Sequence, residues 1–162
     1  MKTEWLELGK RRLHFAHRGS GTRLLLCLHG YGSDHHLFDF LEELDLGEMR
    51  VVALDLPWFG QSQWGDPEPP IGPETLQEWL DALQKRFPDT TQIDVLAYSL
   101  GAKVALGLFQ DAPFRFGKMV LLAPDGLKIH PMYRFCIYNP LGQRLFRRVV
   151  KRPRSFLAVL RI

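Results

Sequence analysis

The feature that most restricts how this chain can fold is the run Leu24-Leu25-Leu26-Cys27-Leu28. Five consecutive apolar residues suit a strand only when both its faces are covered, as in a parallel sheet packed on two sides. Val51–Leu56 repeats the pattern, closed by Pro57, and Ile93–Leu96 and Lys118–Ala123 read as further strands. Between them Leu76, Trp79, Leu80, Leu83 and Phe87 recur at the spacing of one helix face. Gly101–Phe109 carries a second helical pattern with small inward residues, Ala102 and Ala105. Strands that alternate with amphipathic helices predict an α/β fold built on a doubly wound, mostly parallel sheet. Trp5–Leu8 and Arg12–His17, around Gly9-Lys10, add a hairpin-like start, and Ser33 is placed to cap a helix through Phe38, Leu41 and Leu44.

Charge divides the chain unevenly. The first 114 residues hold ten Lys or Arg and seventeen Asp or Glu, whereas from Arg115 onward eleven cations face Asp125 alone. Such a split marks either a contact with an anionic partner or a solvated helical cap, and the cap is the simpler reading. Residues 1–124 therefore read as the α/β core and 125–162 as a helical cap segment. The latter is punctuated at Pro131, Pro140 and Pro153, with short helices expected over Tyr133–Tyr138, Gln143–Lys151 and Ser155–Leu160. Cys27 and Cys136 are too few and too far apart in sequence to make a disulfide framework. With no secretory leader pattern at Met1–Glu7 and no apolar stretch of membrane-spanning length, a cytoplasmic protein is expected.

The chemistry gathers at the ends of the apolar runs. His29-Gly30-Tyr31-Gly32 follows the third strand and Asp55-Leu56-Pro57-Trp58-Phe59-Gly60-Gln61-Ser62 the fourth. Ala97-Tyr98-Ser99-Leu100-Gly101 follows the fifth. In order and spacing these segments resemble the N-terminal part of the α/β-hydrolase superfamily, over nearly all of residues 1–124. The resemblance implies a nucleophile elbow at Ser99, with Ala97 where the commonest form has glycine. It also implies an oxyanion hole formed by the backbone N–H groups of Leu100 and Tyr31. The competing reading of Ser99 is an ordinary helix N-cap serine.

In the superfamily order, an acid and then a histidine follow the serine. Here only Asp111, Asp125 and His130 follow Ser99. The expectation is that strands seven and eight, bearing the acid and the histidine, are absent from this chain, so that the sheet is incomplete on its C-terminal side. His29 reads as a shaper of the oxyanion loop. Asp34-His35-His36 with Asp39 reads as a polar first turn rather than a metal site, and Gly30–His35 lacks the last glycine of a dinucleotide fingerprint. Trp58 and Phe59 are either an aromatic wall of an acyl pocket or a cap on the core edge. The basic stretch 144–154 is either an ordinary amphipathic cap helix or a contact with a membrane surface or lipid. The expected activity is that of a serine hydrolase acting on small-molecule carboxylic esters, with no metal, cofactor or nucleic acid. Carbon–carbon bond hydrolysis, perhydrolysis, and a catalytically incomplete fragment or ligand-binding protein are the alternatives.

Overall fold

The apolar runs lie at the centre of a six-stranded sheet in a computed structural model that describes residues 1–65, 71–125 and 131–151. The strands are β1 (Lys2–Leu8), β2 (Arg11–Arg18), β3 (Arg23–Leu28), β4 (Met49–Leu54), β5 (Gln92–Tyr98) and β6 (Phe116–Leu122), in the spatial order β1-β2-β4-β3-β5-β6. Strand β1 pairs antiparallel with β2, and β2 antiparallel with β4. Strands β4, β3, β5 and β6 run parallel, with Leu28 level with Ala97 and Tyr98 level with Leu122. The C-terminal ends of β3, β4 and β5 thus open on the same side of the sheet, where ligand sites of open α/β sheets lie.

Alternation along β3 explains why it must be apolar throughout. Leu24, Leu26 and Leu28 join the larger core with residues of helices α1 (Pro73–Arg86) and α2 (Leu100–Asp111). Cys27 turns to the other face and packs with Phe38, Leu41, Val51 and Ala53. Helix α1 buries the predicted stripe Leu76, Trp79, Leu80 and Leu83, with Pro73 at its start and Lys85 and Arg86 in its last turn.

The segment after β3 differs from expectation. It is a 3-10 helix over His35–Glu43, capped by Asp34 and not Ser33. The Asp34 carboxylate accepts the His36 N–H at 3.0 Å, and Ser33 is held earlier in the turn by a bond from its N–H to Gly30 O. Strand β4 stops at Leu54, two residues short of its predicted end, because the Asp55 side chain organises the following turn. Strand β6 stops at Leu122, where Ala123 takes a positive φ of 46°.

The chain divides into two compact units, Met1–Asp125 and Gly126–Ile162. In the second, helices α3 (Pro131–Tyr138) and α4 (Pro140–Lys151) each begin at the proline that separates them from what precedes. Asn139 caps α4 through Oδ1, which accepts the N–H groups of Leu141 at 2.9 Å and Gly142 at 3.3 Å. Gly142 lets the helices meet, since a Cβ there would strike the Phe135 carbonyl. The helix expected over Ser155–Leu160 lies outside the described residues.

Candidate active site

Ser99 sits where β5 meets α2 with φ 51° and ψ −112°, a conformation costing an L-residue about 1–3 kcal/mol. Four hydrogen bonds hold it there. Its N–H donates to Leu122 O on β6 at 2.9 Å. Its carbonyl accepts the N–H groups of Ala102 at 3.0 Å, Asp125 at 3.2 Å and Lys103 at 3.4 Å. The side chain makes no capping hydrogen bond, so Ser99 is not an ordinary N-cap serine. The half-buried hydroxyl has no hydrogen-bond partner among the described residues.

Two glycines bring the neighbouring turn up against this corner. A Cβ on Gly101 would collide with the carbonyl oxygens of Leu28 and His29, so only glycine lets the start of α2 seat on the end of β3. A Cβ on Gly30 would lie 2.9 Å from the Tyr98 ring and 3.3 Å from Ser99 Cβ. Leu100 opens α2, where first-turn N–H groups lack intrahelical acceptors. Tyr31 directly follows Gly30; its side chain is 84% exposed, with the ring edge-on to Phe59 at 5.3 Å. Ala97 takes the extra methyl into the core, fully buried.

His29 is fully buried and spent on the loop. Its Nε2 accepts the Leu56 N–H at 2.9 Å, which leaves Nδ1 to donate to Gly30 O at 2.7 Å. Burial pushes its pKa below the usual histidine value, so the ring stays neutral. The turn that carries Tyr31 is thereby tied to the end of β4.

A second tie was not visible in the sequence. The carboxylate of Asp55 is fully buried and accepts four hydrogen bonds. They come from His35 N–H at 2.7 Å, His35 Nδ1 at 2.8 Å, His14 Nδ1 at 2.8 Å and Gln61 N–H at 3.0 Å. Burial opposes its charge, but these donors outweigh that and hold the pKa below the ordinary aspartate value. A Cβ on Gly60 would run into this carboxylate, which accounts for the glycine. The three side chains are 41 and 20 residues apart in sequence, so no local spacing announces them. His36 turns instead to Asp39 at 2.8 Å. The adjacent histidines thus turn Nδ1 to different carboxylates. His17 bonds Glu4 at 3.0 Å. Each of the five described histidines is therefore engaged away from Ser99, and His130 lies outside the described residues. Trp58 is exposed, has a positive φ of 66° and stands edge-on to the buried Trp64 at 6.1 Å, over the edge of the core.

Comparison with known proteins agrees with this geometry. The chain is 37% identical over 120 residues to a dihydrolipoyllysine-residue acetyltransferase component of an acetoin cleaving system from Cupriavidus necator, covering 71% of this chain and 30% of that protein. It is 35% identical over 111 residues to a pimeloyl-[acyl-carrier protein] methyl ester esterase from Shewanella oneidensis, covering 68% and 38%. It thus spans about a third of the length of these curated relatives. Among solved structures, a thioesterase domain from the curacin biosynthetic pathway aligns with TM-score 0.67 at 22% identity, over 81% of this chain and 49% of that one. A thermophilic esterase from Thermogutta terrifontis aligns with TM-score 0.64 at 22% identity, over 86% and 55%. These two likenesses establish the fold alone. The model of the alpha/beta hydrolase family matches residues 25–161, from β3 through the helical segment, and the chain belongs to that family.

Proposed function

We propose that this chain carries the nucleophile and the oxyanion hole of a serine hydrolase acting on carboxylic esters. The observation that carries the reading is the backbone of Ser99: a strained, positive-φ serine on a strand-to-helix turn, with its hydroxyl left free of capping duty. In this role Ser99 Oγ attacks the acyl carbonyl. The N–H groups of Leu100 and Tyr31 receive the developing oxyanion, aided by the positive end of α2. Collapse expels the alcohol and leaves an acyl-enzyme, which water then cleaves to the acid. The ester chemistry named for the Shewanella relative supports this substrate class, and the acetyl chemistry named for the Cupriavidus protein is acyl transfer as well.

A serine hydroxyl needs a base, and the five described histidines are committed elsewhere. The reading therefore assigns to this chain the electrophile-binding half of the reaction and leaves the proton acceptor to a group outside the described residues. A fluorophosphonate probe tests the assignment. A single label on Ser99, lost in Ser99→Ala, is expected. Labelling that survives Ser99→Ala rules it out.

A further inference from the structure

The helical segment after Pro131 carries a surface that the ester chemistry at Ser99 does not use. Helix α4 is divided lengthwise. Leu141, Leu145, Phe146 and Val150 fall on one half of its circumference at helical spacing, and Arg144, Arg147, Arg148 and Lys151 on the other. Gly142, in the middle of the apolar half, is buried against Phe135 of α3, but the side chains flanking it are open: Leu141 is 65% exposed, Leu145 and Phe146 are 55% each, and Val150 is 62%. None of the four cations has an ion-pair partner among the described residues. From Gly126 to Ile162 the sequence holds nine Lys or Arg and no acid, so the segment cannot neutralise itself. Helix α3 adds exposed Tyr133 and Tyr138, a side-chain type that places an apolar ring beside a polar hydroxyl.

We infer that α4 lies flat on an anionic lipid surface, its apolar half sunk among the acyl chains and its arginines and lysine at the headgroups. Charge complementarity selects the occupant. A solvated helix of a soluble protein mixes acidic with basic residues, whereas a helix with only cations on its polar half and Leu and Phe on the other fits an anionic interface. At about 18 Å the helix is too short to cross a bilayer, and no described helix is long and apolar enough to do so. Helix α4 therefore lies on such a surface rather than crossing it. The inference stands whether or not Ser99 is the nucleophile.

Co-sedimentation of the whole chain with phosphatidylglycerol–phosphatidylcholine vesicles, against phosphatidylcholine vesicles alone, tests it. Binding to the anionic vesicles that weakens with added salt is expected. Arg144→Gln with Arg147→Gln should weaken it roughly 25-fold, at about fivefold per cation. Arg144→Lys with Arg147→Lys should leave it nearly unchanged. Phe146→Gln should cost about tenfold or more through lost apolar burial. Failure to bind anionic vesicles at low salt overturns the inference and turns the cations toward an acidic protein partner. Equal binding to both vesicle types overturns it as well, as does binding that ignores Phe146→Gln. The salt titration needs no variant, so a misfolded substitution cannot rescue the idea.

Discussion

At the scale of single residues, the site is built from backbone conformations that few side chains tolerate. Ser99 is held at φ 51° by bonds to β6 and to the first turn of α2, and the fold sustains that strain. Replacing Ser99 by alanine leaves the strain in place, whereas glycine adopts such a φ freely. Ser99→Gly is therefore expected to be more stable than Ser99→Ala by about 1 kcal/mol, after allowing for the greater freedom of glycine in the unfolded chain. Urea unfolding of the two variants measures the difference. Equal midpoints would mean that the corner stores no strain. The serine, the two turn glycines and their order were legible in the sequence because each is a local signal. The engagement of His29 was legible only in part: its place beside Gly30 is local, but the Leu56 N–H that fixes its tautomer comes from another strand.

At the scale of elements, the turn bearing Tyr31 is pinned at both ends to the exit of β4. His29 meets Leu56 N–H at one end, and His35 meets Asp55 at the other, with His14 of β2 bracing the same carboxylate. Removing the carboxylate strands several buried donors at once. Asp55→Ala is therefore expected to cost about 3 kcal/mol or more in denaturant unfolding. The pH dependence follows in sign. The pKa of Asp55 is lowered in the folded state, so its stabilisation is present above the unfolded value of about 3.9 and is lost as pH falls through the lower folded one. His29, also lowered, weakens the fold in the same direction below about 6.5. Unfolding free energy followed from neutral pH to below 4 should fall steadily, with the acid-side drop blunted in Asp55→Asn. A drop of equal size in that variant would show that other carboxylates control it. None of this cluster could be read from periodicity, because its members come from β2, the turn after β3 and the end of β4. The mistaken cap at Ser33 has the same origin. Asp34 and the Asp55 contact to His35 N–H, not the nearest hydroxyl, decide where the 3-10 helix begins.

At the scale of the whole molecule, the charge split and the core describe the same division. Both apolar clusters are assembled from residues up to Phe116, with only Met119 and Leu121 of β6 packed against them from further along the chain. Among the described residues, both clusters are built within the first unit, Met1–Asp125. In the sequence, apolar strand runs end with β6 and unrelieved positive charge follows Asp125. The sheet order was beyond its reach: placing β4 between β2 and β3 depends on pairings far apart in sequence. If cooperativity comes from that core, residues 1–125 contain what two-state unfolding needs. A chain of residues 1–125 is then expected to melt in a single transition within a few degrees of the 162-residue chain, followed by far-UV circular dichroism. Loss of the cooperative transition would show that the cationic helical unit supports the sheet rather than merely following it.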